Sequence, residues 1–449
     1  MSQPSVDDPA EYLDRDRMLA LQRGKLAALG RRLAASPSWR DHFAKAGMAP
    51  EDLADPAALA SVPTLEKADL HARYPYPFLT VPLDQVARFC ATSGTTGLPV
   101  LFGYTRRDMM ELVPRQLGRI FRTVGIQPGE PVYQGYGYGM WIGGVAMDAA
   151  LMAYGATNFG IGPGRGELVV EWLRDHGYVA CSMSPLWLMT LVRTAHGRNI
   201  DPRRDWKLRV GLFGGQSVSR QFRDALEAAM PDGFVAHNIY GSTEAGGPVV
   251  AISCPHSHDA DEMHLINEDS ILTEVVDPES LRPVGPGEVG EIVVTTLDKQ
   301  ASPVVRWRTR DLVRLSDRPY DCPCGRRGMP LIGRIIGRSD DMLKVRGVMV
   351  FPSQVEDVIA AVPGTVKEAW HIYVDRKDGD LDSLTIAVER QADGPAAAAL
   401  ADQVAGAIRA RLGIRCAIEC QEEGALPRYE SKAVRVHIRS GAGGSIVAA

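Results

Sequence analysis

At 449 residues the chain is too long for one compact core, so at least two domains are expected. Its 45% hydrophobic and 23% charged residues are ordinary for a globular protein, and a net charge of −5 points to neither nucleic acid nor an anionic membrane as partner. No apolar run approaches membrane-spanning length, and the polar, acidic start MSQPSVDDPAEYLDRDRM is unlike a secretion signal. A soluble cytoplasmic protein is therefore expected. Its seven cysteines are odd in number and scattered, which suits thiols, metal ligands or core residues rather than a disulfide framework.

Residues 11–35 carry Leu, Met and Ala at helical spacing, and a second helical stretch follows Ser38 before prolines 50, 56 and 63 break the pattern. Up to about residue 240 strand-like and helical runs alternate. YVACSMS is a strand, PLWLMTLVRTA a helix opened by proline, and LRVGLFGG a strand. SRQFRDALEAAM is a helix capped by Ser219, and FVAHNIYGS is a strand. Such alternation implies an α/β fold, with parallel sheet covered by helices. From about 250 to 335 short β runs between Pro/Gly turns suggest a β subdomain. Beyond Gly337–Asp341 a small α+β unit is expected, with helices over 352–361 and 397–412, strands over 369–389 and 415–420, and a loose tail, SGAGGSIVAA. The predicted division is residues 1–337 and 338–449.

Five segments carry candidate chemistry. CATSGTTGLPV (90–100) is rich in Ser, Thr and Gly, whose hydroxyls and unblocked N–H groups suit an anion-binding concavity or a plain β-turn. It lacks the lysine that ends the phosphate loop of nucleotide hydrolases. IYGSTEAGG (239–247) follows a strand, where open α/β sheets bind ligands. Tyr240 can stack on a base, Thr243 can bond a phosphate-like oxygen, and Glu244 can hold Mg²⁺. Otherwise the segment is a polar turn from strand to helix. Asp311 in RWRTRDL can take both hydroxyls of a ribose, or be one member of a surface ion-pair group. GRSDDMLKVRG packs charge and glycine at the domain boundary, as a hinge requires. Lys432 lies in LPRYESKAVRV, between turn and strand, and by itself reads as an ordinary surface residue.

In order and spacing these segments resemble the core motifs of the adenylate-forming superfamily of acyl-CoA synthetases, adenylation domains and luciferases. The similarity is closest to the phenylacetate–CoA ligase-like branch, where SGTTG, Gly103-Tyr104-Thr105, YGYG (136–139), RSDDM and VFPSQVE are typical. The resemblance implies an enzyme that activates a carboxylic acid with Mg-ATP to an acyl-adenylate and passes the acyl group to coenzyme A. It assigns Thr92, Ser93, Gly94, Thr95, Thr96 and Gly97 to the β/γ phosphates. Gly214, Gly215 and Gln216 line the adenosine site with Tyr240, Gly241 and Ser242 nearby. Thr243 and Glu244 serve the α-phosphate and Mg²⁺, Asp311 binds the ribose, and Arg338 closes over the nucleotide. Asp340 is the hinge, and Lys432 bridges carboxylate and phosphate during adenylation. Three residues depart from the pattern: Leu98 where a basic residue is frequent, Arg310 in place of the glycine of Thr-Gly-Asp, and Ser431 in place of the glycine before the catalytic lysine.

YQGYGYGMWIGG (133–144) matches the acyl-pocket segment of this branch, and its Tyr136, Gly137, Tyr138, Gly139, Met140 and Trp141 suit an aryl or arylalkanoic acid, or else a buried aromatic cluster. Cys254, His264, Cys322 and Cys324, with His258 as a substitute, offer the ligand set of a structural zinc site. Two alternatives stay open: transfer of the acyl group to an amine or a carrier-protein thiol, and a non-catalytic nucleotide-binding protein of the same fold. A homodimer is likewise left open.

Overall fold

The structure is a computed structural model that describes residues 8–92, 99–216, 218–340, 343–345, 348–376, 383–429, 434–440 and 445–448. An eight-stranded mixed sheet forms its centre. Five strands run parallel in the order Thr157–Gly160, Pro131–Gln134, Ala180–Met183, Val210–Phe213 and Val235–Ser242. Gly247–Ile252, Glu262–Leu265 and Leu331–Gly333 extend it antiparallel. The two-residue period of a strand divides the side chains between faces. Val132, Ala180, Val210 and Leu212 join one buried cluster, with the helices Val113–Thr123 and Ile142–Tyr154. Tyr133, Cys181, Met183 and Phe213 join a second, with Gly166–Asp175, Pro185–Gly197 and Arg220–Ala228.

The helices at Pro185 and after Ser219 start where the sequence predicts. Ser184 accepts from Trp187 N at 3.1 Å, and Ser219 from Phe222 N at 3.2 Å. The first long helix runs Arg15–Ala34, capped by Asp14, and the second opens at Pro37, slightly earlier than predicted. The β subdomain differs more. Strands between 247 and 265 and at Leu331–Gly333 belong to the central sheet: Gly247–Ile252 pairs with the edge that Val235–Ser242 leaves open, Glu262–Leu265 pairs with Gly247–Ile252, and Leu331–Gly333 with Glu262–Leu265. The separate four-stranded sheet comprises Ile271–Val276, Val289–Thr296, Trp307–Arg314 and Gly337–Arg338.

The C-terminal unit has its own core. Helices Pro352–Ala361 and Ala397–Leu412 match the predicted bounds. Its five-stranded sheet runs in the order Ala417–Gln421, Ser383–Arg390, Thr365–Arg376, Val436–Ser440 and Ser445–Ala448. The last strand corrects the expectation of a loose tail. Ile446 and Val447 are β-formers, and they pair with Arg439 and Ile438 along a free sheet edge. The unit meets the rest of the chain through the ion pairs Arg193–Glu368 and Arg334–Asp357. Tyr429 also packs against the second core cluster.

Where the two large sheets join, the turn 267–270 carries a charge cluster. Arg119 and Asp269 are both fully buried and paired, with Asp8, Arg115 and Lys25 around them. Burial alone would raise the Asp269 carboxyl, but Arg119, Arg115 and Lys25 pull it down to about 2. Removing one partner strands a buried charge, so Arg119→Met is expected to cost about 3–5 kcal/mol of stability, read by chemical denaturation at neutral pH. A depressed carboxyl contributes fully above its unfolded value of 3.8, and the contribution is lost as pH falls toward about 2. The substitution should therefore flatten that part of the acid-stability curve.

Candidate active site

Open α/β sheets bind ligands at the carboxyl ends of their parallel strands. Here those ends carry the predicted segments. Val210–Phe213 leads into Gly214 and Gly215, and Pro131–Gln134 leads into Tyr136. Val235–Ser242 carries Tyr240 and Gly241 and ends at Ser242, and the turn with Thr243 and Glu244 follows. Gly214 has no room for a side chain, because a Cβ there would lie 2.8 Å from Ile239 Cγ1 and 3.2 Å from Tyr136 Oη. Gly215 has φ +85°. Gln216 follows directly. The turn 243–246 leads to another strand, not to a helix: Gly247–Ile252 returns antiparallel beside Val235–Ser242. Ser242 Oγ accepts from Ala245 N at 3.2 Å, and the carbonyl of Thr243 accepts from Tyr104 Oη at 3.0 Å. Glu244 is half-buried at the tip, a carboxylate that fits Mg²⁺ completed by phosphate oxygens and water.

Asp311 comes from the other sheet and meets this edge. Tyr240 Oη donates to its Oδ2 at 2.7 Å, and Arg338 Nη1 lies 3.6 Å from its Oδ1. A β-bulge aims it. Residues 309–311 stand opposite Ile292 alone, and Arg310 in the bulge adopts φ +66°. That left-handed backbone is the physical reason a glycine suits this position. The Arg310 guanidinium pairs with Glu66 at 2.8 Å, and its backbone N–H donates to Glu291, so its charge is spent on neighbours other than Asp311. Arg338 also donates to the Thr309 carbonyl at 3.1 Å and grips Asp340 through Nε and Nη2 at 2.9 and 2.8 Å. The predicted closing arginine and the predicted hinge residue are thus one bonded unit beside the ribose-type carboxylate.

Thr92 stands at the base of the hairpin Val86–Ala91/Leu101–Thr105, and its N–H donates to the Val100 carbonyl at 3.1 Å. Ser93, Gly94, Thr95, Thr96, Gly97 and Leu98 lie outside the described residues, as do Ser431 and Lys432. One link joins this hairpin to the acyl-pocket segment: Ala91 N donates to Met140 O at 2.7 Å. In that segment Tyr136 turns inward, with its hydroxyl enclosed beside the Gly214 backbone. Tyr138, Met140 and Trp141 are 38 to 49% exposed, forming a rim rather than a buried cluster, and Tyr138 Oη donates to Asp148 at 3.1 Å. Gly137 and Gly139 separate these rings.

A second cluster sits at the edge of the central sheet, not in the four-stranded sheet. Ligand atoms of Cys254, His264, Cys322 and Cys324 all lie within 4.8 Å of one another. Cys254 Sγ is 3.7 Å from Cys322 Sγ, close to the roughly 3.8 Å between two thiolates on one tetrahedral zinc. His264 faces Cys324 Sγ through Nε2 at 3.2 Å while Nδ1 bonds the Met329 carbonyl, the second contact that fixes a ligating imidazole. Hydrogen bonding from Cys254 holds the Cys324 thiol below its ordinary value, against the effect of burial. His258, the alternative ligand, is committed elsewhere, to Glu227 at 3.0 Å.

Sequence reasoning passed over Lys299 and Glu66. Both are long charged residues that a linear reading assigns to solvent, and their partners lie far away in the chain. Lys299 is 1% exposed beneath Thr243–Gly246, and Glu66 reaches across to Arg308 and Arg310.

Comparison with known proteins gives concordant results. Residues 38–297 match the AMP-binding enzyme family, and residues 347–438 match the AMP-binding enzyme C-terminal domain. A phenylacetate-coenzyme A ligase of Pseudomonas putida is 35% identical over 89% of each chain, and one of Escherichia coli K12 is 34% identical over 96% of each. Among solved structures, 2-hydroxyisobutyryl-CoA ligase in its postadenylation state with 2-HIB-AMP has a TM-score of 0.86 at 25% identity, covering 97% of this chain and 93% of that one. The same ligase with 2-HIB-AMP and CoA in its thioesterification state has a TM-score of 0.69 at 26% identity, covering 98% and 94%. No helix among the described residues is long and apolar enough to cross a membrane.

The bulge makes a direct prediction. Glycine at 310 relieves the positive φ but gives up a half-exposed ion pair worth at most about 1 kcal/mol. Arg310→Gly should therefore leave stability within about 1 kcal/mol of the parent in denaturant unfolding, whereas Arg310→Val, β-branched in the same conformation, should cost about 2 kcal/mol or more.

Proposed function

The chain belongs to the AMP-binding enzyme family, and from that premise we propose that it is an acid–thiol ligase that activates an aromatic carboxylic acid and transfers it to coenzyme A. In the first step a carboxylate oxygen attacks the α-phosphorus of ATP, and pyrophosphate leaves. In the second the thiol of coenzyme A attacks the acyl carbon, the C–O bond to the phosphate breaks, and AMP leaves. Adenylation turns a poor acyl donor into one with AMP as leaving group. Catalysis is then mostly a matter of positioning and charge neutralisation.

The observation that carries this reading is the convergence of Gly214, Tyr240, Thr243 and Asp311 on one edge, with the Tyr240–Asp311 bond joining two sheets. The Asp311 carboxylate is a group that can accept from ribose hydroxyls, and Gly215, where a Cβ would meet nothing within 4 Å, leaves room for a flat base near Tyr240. Thr243 serves the α-phosphate and Glu244 the Mg²⁺, which supplies charge neutralisation on the phosphates when bound. Thr92 to Gly97 hold the outgoing pyrophosphate, and Lys432 bridges carboxylate and α-phosphate. For the acid, the inward ring of Tyr136 favours a flat arene, in line with the names of the relatives at 34 to 36% identity. Residues 338–449 act as a lid turning about Asp340. The higher similarity to a postadenylation structure than to a thioesterification structure supports assigning this conformation to the adenylate side of the cycle. A cytoplasmic setting suits both ATP and coenzyme A.

ATP–pyrophosphate exchange over a panel of aryl and arylalkanoic acids tests the proposal. Exchange with at least one such acid, and thioester on adding coenzyme A, is the expected result. No exchange with any acid would sink the enzyme reading, and exchange without thioester would favour an amine or carrier-protein acceptor. Lys432→Ala should abolish exchange while leaving thioester formation from supplied acyl-adenylate largely intact.

We further propose that Cys254, His264, Cys322 and Cys324 hold a structural zinc, since four protein ligands leave no open position for catalysis. Metal analysis should find one equivalent of zinc per chain, and Cys254→Ser should lose it together with several degrees of melting temperature. Metal-free protein with an unchanged melting point after chelation would refute the site.

A further inference from the structure

Lys299 lies in the connection between Val289–Thr296 and Trp307–Arg314 and is 1% exposed. Its carbonyl accepts from Arg32 Nη2 at 3.0 Å, which anchors the backbone. The stem runs beneath Gly246, where a Cβ would come within 2.6 Å of Lys299 Cδ. The ammonium ends 4.0 Å from the centre of the Tyr104 ring and 5.1 Å from that of Phe102, and Nζ has no hydrogen-bond partner. Asp108 is nearby, but its carboxylate is taken by the N–H groups of Thr105, Gln300 and Ala301. Two ring faces return less than the burial of an unpaired ammonium costs, so the fold alone gives no reason to keep this charge.

The reason lies on the other side of Tyr104. Its hydroxyl donates to the Thr243 carbonyl, and Glu244 is the next residue. Cys90, which also faces the ammonium, is in the strand that ends just before Thr92. A positive charge is thus held in a dry site directly under the turn that carries Thr243 and Glu244 and behind the base of the Thr92 hairpin. An anion is what such a charge lacks. We infer that Lys299 is a positioning residue whose fixed charge, acting through Tyr104 and the Thr243–Glu244 turn, makes the site prefer the triphosphate or pyrophosphate end of the nucleotide over AMP alone. The inference rests on the reading of this edge as a nucleotide site.

Burial pushes the Lys299 ammonium down to about 8, with Asp108, Cys90 and Glu244 drawing it up, so it is still largely charged near neutrality. Lys299→Met keeps the stem and removes the charge, and Lys299→Gln does so with a polar end. Affinities for Mg-ATP and AMP, measured by calorimetry, together with the melting temperature, decide the matter. The expected result is a methionine variant that melts no lower than the parent, binds AMP within about twofold of it, and binds ATP about tenfold or more weakly. Equal losses for both nucleotides, or an unchanged ATP-to-AMP ratio, would overturn the inference and leave Lys299 a packing residue. Wild-type protein that binds neither nucleotide would overturn the nucleotide reading itself.

Should neither variant fold, the wild-type ratio carries the test. Burial pushes Cys90 and Tyr104 upward, and Asp108 and Glu244 are carboxylates, so Lys299 is the facing group that titrates nearest to pH 8. The ATP preference should fall as pH rises through about 8, because a lysine with a lowered value loses its charge there, and a flat profile between about pH 7 and 9.5 would contradict it.

Discussion

The carboxylate of Asp311 is shared between the two sheets that meet at this edge. One oxygen accepts from Tyr240, at the end of the central sheet, and the other faces Arg338, which in turn grips Asp340. Three elements therefore depend on one side chain: the last parallel strand, the bulged strand of the four-stranded sheet, and the short strand that opens toward the C-terminal unit. On the proposed function, a ribose at Asp311 would compete with or join these bonds. The left-handed backbone of Arg310 directs this carboxylate to the edge and bears the conformational strain of doing so.

Charge is distributed unusually around this edge. The family resemblance places a basic residue where this sequence has Leu98. The positive charges beside the site belong instead to Arg338, at the domain boundary, and to Lys299, buried beneath it. Both come from segments remote from the phosphate hairpin in sequence. The packing of the two sheets against each other thus brings both cations to this edge. Arg310, the other cation near Asp311, is neutralised by Glu66 and Glu291.

Much of this was legible in the sequence because the signals are local. Period-2 apolar runs, proline at helix starts, and Ser219 as a cap fix the strand–helix alternation without reference to the rest of the chain. The Cys/His set was also readable, since the C-x-C pair fixes two ligands and leaves few partners. What was not legible depends on distant packing. Lys299 is buried only because the turn 243–246 covers it, and Glu66 meets Arg310 only through the fold. The strand Ser445–Ala448 exists because Val436–Ser440 presents a free edge, which glycine-rich composition hides. The strands near 250–265 read as a separate β subdomain for a similar reason: an antiparallel extension of a parallel sheet has the same local texture as an independent one.

The central claim is that an acyl-adenylate forms on this edge, and it has a direct atomic signature. The attacking carboxylate oxygen becomes the bridge to phosphorus, and it stays with AMP when the thiol takes the acyl carbon. With an aryl acid labelled with oxygen-18 in its carboxylate, mass spectrometry of the AMP formed should find one labelled oxygen per turnover. Unlabelled AMP, or label in pyrophosphate or orthophosphate, would contradict the account.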